Sequence, residues 1–132
     1  MEQKQNESTE LRPEGARVMD APLVTMNVND FIRQIKDEPA WEKNDRNAMA
    51  IYKTEGMRIV LIALHEDAVM EKHTAKGIIS LQVLEGEINF NSADQSVSVK
   101  KGEMIALHKG IPHSVAAVKE SVFLLTIADC KD

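Results

Sequence analysis

The chain has 132 residues, 43% hydrophobic and 28% charged, with a formal net charge of −5 and a single cysteine. That length suits one domain with one core, and the acidic balance does not favour nucleic acid or an anionic membrane surface as a partner. One cysteine excludes an intrachain disulfide, no apolar run is long enough to cross a bilayer, and the opening "MEQKQNESTELRPEG" is too polar for a secretory signal, so a cytoplasmic protein is expected.

Residues 1–20 are rich in Gln, Asn, Ser and Glu and carry too few apolar side chains to offset their ordering entropy. They are expected to form a flexible tail, or else an arm that docks on a partner subunit through Leu11, Val18 and Met19. Residues 21–132 then form a single domain. "APLVTMNV" is a short strand candidate. "NDFIRQIKDEP" predicts one short helix over about 29–38: Asn27 or Asn29 can cap it, Asp30 sits near the positive end of its dipole, and Phe31, Ile32 and Ile35 share a face. Pro39 is expected to end the helix, and Trp41 to pin the following segment to the rest of the domain or to a neighbouring subunit.

From Asn47 onward the pattern is β. "NAMAIYKT" is followed by a turn at Glu55-Gly56, and "MRIVLIALH" is long and apolar enough for a strand buried on both faces. Short segments then follow at regular intervals, "GIISLQVLEG", "EINF", "VSV", "MIALHKG", "IPHSVAAV" and "VFLLTIA", with turns between them. Such spacing indicates an all-β sandwich or barrel, and about eight strands avoid exposed edges most economically by closing into a double sheet. The "xGE" steps at Gly86 and Gly102 mark tight turns where glycine supplies positive φ. "RIVLIAL" has more apolar surface than one inner face requires, which predicts a homodimer. Cys130 is expected as a free thiol near the surface, outside the barrel strands.

"HTAKGIISLQVLEGEI" and, further on, "KKGEMIALHKGIPHSV" resemble the two motifs of the cupin superfamily. The resemblance covers roughly Met57 to Ala128 and implies the cupin double-stranded β-helix, a jelly-roll barrel. Gly102, Gly110 and His113 fall in register with the second motif, with His108 in place of its proline and Ala117 in place of its asparagine. His73 and Gly86 fall in register with the first; Asp67 stands for its first glycine, Ala75 for its second histidine and Ile79 for its glutamate. Metal-binding cupins hold a divalent transition metal with three imidazoles and a carboxylate. Two of those four places are here apolar and have no lone pair to donate.

Strand alternation counted from His73 places Glu71, Ala75, Gly77, Ile79, Leu81 and Val83 on its face, with Val115 and Ala117 on that of His113. The expected interior is an apolar cup with two histidines and a carboxylate at the rim. Three readings of His73 and His113 follow: buried imidazoles satisfied by each other, water or backbone; a small-molecule pocket in which they orient a polar group; or a rebuilt two-histidine, one-carboxylate metal site with Glu71. His108 is read as an exposed loop residue or a third imidazole at the mouth, and His65 as a surface residue at a strand end. The function expected is small-molecule binding in the barrel by His73, His113, His108 and Glu71, with no cofactor. The alternatives are a metal-dependent dioxygenase or isomerase using His73, His113 and Glu71, and a structural protein whose barrel is simply core.

Overall fold

A computed structural model describes residues 4–6 and 17–129. Cys130, Leu11 and most of the segment expected as a tail lie outside the described residues. Two short strands, β1 (Lys4–Asn6) and β2 (Arg17–Asp20), pair antiparallel. The second of these was assigned to the tail on composition, yet Met19 is buried and the Arg17 guanidinium donates to the Ala50 carbonyl. "APLVTMNV" is not a strand: its first seven residues have no regular structure and its last opens the helix.

Helix α1 spans Val28–Asp37, and the Asn27 side chain caps it by accepting from the Asp30 amide at 3.1 Å. A second, short helix, α2 (Pro39–Lys43), follows at once. Pro39 ends α1 as expected, but it also occupies the first turn of α2, where its missing N–H leaves no helix bond unmade.

Nine further strands make a sandwich: β3 (Arg46–Lys53), β4 (Met57–Leu64), β5 (Val69–His73), β6 (Ile78–Glu85), β7 (Glu87–Ser92), β8 (Gln95–Lys100), β9 (Met104–Leu107), β10 (His113–Ala117) and β11 (Ser121–Ala128). One sheet has the order β3-β4-β11-β6-β9 and the other β5-β10-β7-β8, with every pairing antiparallel. The inner faces meet in one core that includes Ile62, Leu64, Ile79, Leu81 and Phe123 from the first sheet and Ile88, Phe90, Val99, Val115 and Ala117 from the second. Gly86 closes the β6–β7 turn at φ 84, and a side chain there would also strike the backbone at Glu120 and Ser121.

The outer face of the five-stranded sheet carries a second core. Met49, Ile51, Leu61, Ala63 and Val122 pack there under Ile35 and Trp41, with Phe31 and Ile32 at the margin. Buried Asn47 on β3 donates to the Ile35 carbonyl at 2.9 Å and to the Glu38 carboxylate at 2.9 Å, which ties the end of α1 to the sheet. Trp41 stacks on His65 with ring centroids 3.4 Å apart, and His65 Nε2 donates to the Trp41 carbonyl at 2.8 Å. So Trp41 pins its segment to this barrel, and His65 serves that anchor. The apolar excess of β4 is covered by the chain's own helices, so that strand no longer argues for a second copy. Among the described residues no helix is long and apolar enough to cross a membrane.

Candidate functional site

The two histidines of the motifs meet. His113 on β10 and His73 on β5 are direct cross-strand partners, and their rings lie 4.3 Å apart, tilted by 59°. His113 is buried against Phe90, whose ring is nearly parallel to it at 5.6 Å, while His73 is exposed. Each ring is fixed by the carbonyl two residues before it: His73 Nδ1 to Glu71 at 2.7 Å, and His113 Nδ1 to Ile111 at 2.9 Å. A carbonyl oxygen can only accept, so both Nδ1 atoms carry hydrogen. In the neutral rings both Nε2 atoms then keep a free lone pair.

Glu71 does not join them. The β5–β10 register runs from His113 opposite His73 to Val115 opposite Met70, three residues against two. This β-bulge reverses the alternation. Met70 packs against the core, whereas Glu71 is exposed on the other side of the strand. Its neighbour there is Arg46, which donates to the Val69 carbonyl at 2.7 Å. The Arg46 guanidinium is pushed up first by its hydrogen bond to Asp45, against burial, and further by the charges of Asp45 and Glu71. The expected rim carboxylate is therefore a surface residue. His108 is exposed in the turn after β9 and does not line the cavity around His73 and His113.

The motif register nevertheless holds in space. Ala75 lines the same cavity as the two histidines, and Ile79 lies beneath both rings. Asp67, in the place of the first motif's glycine, has φ 71, a conformation that Asp tolerates better than most side chains. The two histidines thus border both spaces, with Ala75 in the upper one and Ile79 in the lower, and the donor set there is two imidazoles. Among the described residues no group of three or more His, Cys, Asp or Glu side chains could hold a metal ion. The residues do not fit the divalent metal that metal-binding cupins hold.

Below the rings the sandwich is filled. The void between Met70, Leu81, Phe90 and Phe123 is about 10 Å³, too small for a ligand and at the lower limit for one water. Above them the barrel opens into a cavity of about 530 Å³ whose floor is His73, His113, Ala75, Leu125 and Ile127. Its walls bring in residues that motif reading passed over: Lys53, Arg58 and Lys76, with the carboxylates Glu55 and Asp129. The signal for Arg58 was present, because alternation back from Leu64, Ile62 and Val60 puts Arg58 on the inner face. Gly77 borders the cavity, and a Cβ on it would run into the Ala128 carbonyl.

No family model matches the chain, and no curated protein is significantly similar to it in sequence. Solved structures are similar in fold. A cupin-2 domain containing protein from Shewanella frigidimarina superposes with a TM-score of 0.63 at 19% identity, over 78% of this chain and 93% of that one. A cupin superfamily protein from Desulfitobacterium hafniense gives 0.62 at 16% identity over 64% and 78% of the two chains. An RmlC-like cupin from Methanocaldococcus jannaschii, described as a double-stranded β-helix, gives 0.59 at 20% identity over 63% and 79%. Two antiparallel sheets, the pairing of the two motif histidines and these likenesses agree: the protein has the cupin fold.

Proposed function

We propose that the protein binds a small organic molecule at the barrel mouth, with His73 and His113 orienting a polar group of the ligand, and that it does so without the cupin metal. One observation carries this reading: a cavity of about 530 Å³ opens directly onto two imidazoles whose Nδ1 atoms are already committed to backbone carbonyls. Such rings are pre-oriented acceptors over an apolar floor, and a mainly apolar pocket with a few convergent polar groups is the usual form of a small-molecule site. The filled interior beneath limits the ligand to the mouth. His113 is the buried, rigid partner; His73 is the accessible one.

The test is a thermal-shift screen of small organic molecules on the wild-type chain and on His73→Ala. Compounds that bind here raise the melting temperature of the wild type and lose that effect in His73→Ala, whose own folding is little changed because the side chain is exposed. A screen with no stabilising compound, or with compounds that stabilise both proteins equally, rejects the reading. Metal analysis of the untagged protein after exposure to iron(II), manganese and zinc belongs beside it: a stoichiometric metal lost in His73→Ala would replace this reading with a metal-dependent one.

A further inference from the structure

The rim of the mouth holds an arrangement that folding alone disfavours. Lys53 and Arg58 are direct cross-strand partners at the β3–β4 hairpin, and Arg58 is in turn opposite Ile127 on β11. Ile127 packs against the inner core and lies opposite Ile79. Lys53, Arg58, Ile127 and Ile79 therefore form one row across the inner face of the sheet, apolar at its centre and doubly cationic at its edge. Like charges placed directly opposite on one sheet face are destabilising. Among the described residues neither Lys53 nor Arg58 forms an ion pair. Lys76 adds a third cation to the same cavity, so its wall carries three cations against the two carboxylates of Glu55 and Asp129, on a chain whose net charge is −5.

Resting on the mouth-pocket reading, we infer that the ligand is a small organic acid: a carboxylate held between Lys53 and Arg58, an apolar body over Ile127 and Leu125, and a hydrogen-bond donor reaching Nε2 of His73 or His113. The spacing follows from the strand. Leu125 lies beside the histidines, Ile127 is two residues further out, and two residues of a strand span about 6.5 Å. An acid and a hydroxyl separated by about that length, across a flat apolar spacer, match the row. The anion removes the Lys53–Arg58 repulsion, so binding and relief of a built-in electrostatic cost are one event. It also accounts for the charge of the site, which a neutral ligand would leave unused.

The experiment is an NMR titration of the full chain with 4-hydroxybenzoate and, separately, its neutral analogue 4-hydroxybenzamide, following backbone amides of residues 53–58 and 125–129. The acid is expected to bind at least tenfold more tightly than the amide. Lys53→Gln with Arg58→Gln should bring the acid down to the affinity of the amide while leaving the amide unchanged, and Arg58→Lys, which keeps the charge, should retain most of the preference. Losing the like-charge pair should not lower the melting temperature, so a folded double variant is available. If both compounds shift these signals with equal affinity, or the double variant binds the acid as well as the wild type, the acid inference falls while the mouth pocket stands. If neither compound shifts them, the acid inference falls, and the thermal-shift screen alone decides the mouth pocket.

Discussion

The two ends of the sandwich are built differently, and two strands record the contrast along their own length. β4 enters at the mouth with exposed Met57 and Arg58 and ends fully buried from Leu61 to Leu64; β11 runs the other way, buried from Ser121 to Phe123 and only half-buried from Leu124 onward. At the closed end Ser121 is fully buried and ties the β6–β7 turn, accepting from the Glu87 amide and donating its one proton to the Lys119 carbonyl at 2.8 Å, with the Glu87 carbonyl as the alternative acceptor at 3.1 Å. At the open end β4 presents Arg58 and β11 the partly covered Leu125 and Ile127, and these line one cavity with His73 of β5 and His113 of β10. One end carries stability, the other carries chemistry, and a single pair of strands connects them rigidly.

The contrast breaks first at Phe123. Phe123→Ala at the closed end should cost about 3–5 kcal/mol in urea unfolding, whereas Leu125→Ala, two residues nearer the mouth, should cost about half as much or less because its site is already partly open. Equal losses would mean that the two ends are packed alike. Next comes conversion of the mouth into a metal site. Ala75→His with Ile79→Glu restores both missing donors, but Ile79 is 1% exposed, so without metal the new carboxyl sits in apolar surroundings and should destabilise the fold by roughly 2–3 kcal/mol. Zinc or manganese should return that loss as a metal-dependent rise in melting temperature. If the variant gains no stability from any divalent metal, the four positions do not converge closely enough to ligate.

The smallest effect sharpens the comparison from outside the barrel. Lys36 on α1 bridges Glu85 at 2.8 Å and Glu120 at 3.1 Å, next to the closed end. Burial alone would lower its ammonium, but the two hydrogen bonds and charges outweigh it and hold the group above the ordinary lysine value. A raised folded value means that the bridge stabilises fully below the unfolded lysine range and is lost as pH rises through the folded one. Both carboxylates are more than a third exposed, so Lys36→Met should cost only about 0.5–1 kcal/mol at neutral pH, measured by urea unfolding, with the difference closing in strong alkali.

Much of this was legible in the chain. Period-two alternation placed Ile79, Leu81, Val83, Val115 and Ala117 inside, and the turn chemistry of Gly86 and Gly102 placed the reversals, because both signals are local. Glu71 was misplaced because a bulge is set by cross-strand register, and nothing in "VMEKH" announces that three residues will oppose two. The cover on β4 went unread for a similar reason: its apolar outer face was visible, but the helix that covers it lies well back in the chain, and only tertiary packing joins them. The cations of the mouth went unread because Lys and Arg on a strand end look like solvated surface until the neighbouring strands show which face they share.

The cover over the outer face also changes what that sheet can offer to another chain. Leu61, Ala63, Met49 and Ile51 make a flat, β-rich apolar surface, the kind that adheres to its own likeness when bare. Ile35 and Trp41, tied down by Asn47 and His65, occupy it first. Along Met49, Ile51, Leu61 and Ala63 the two short helices therefore stand where the face of another sheet would otherwise stack.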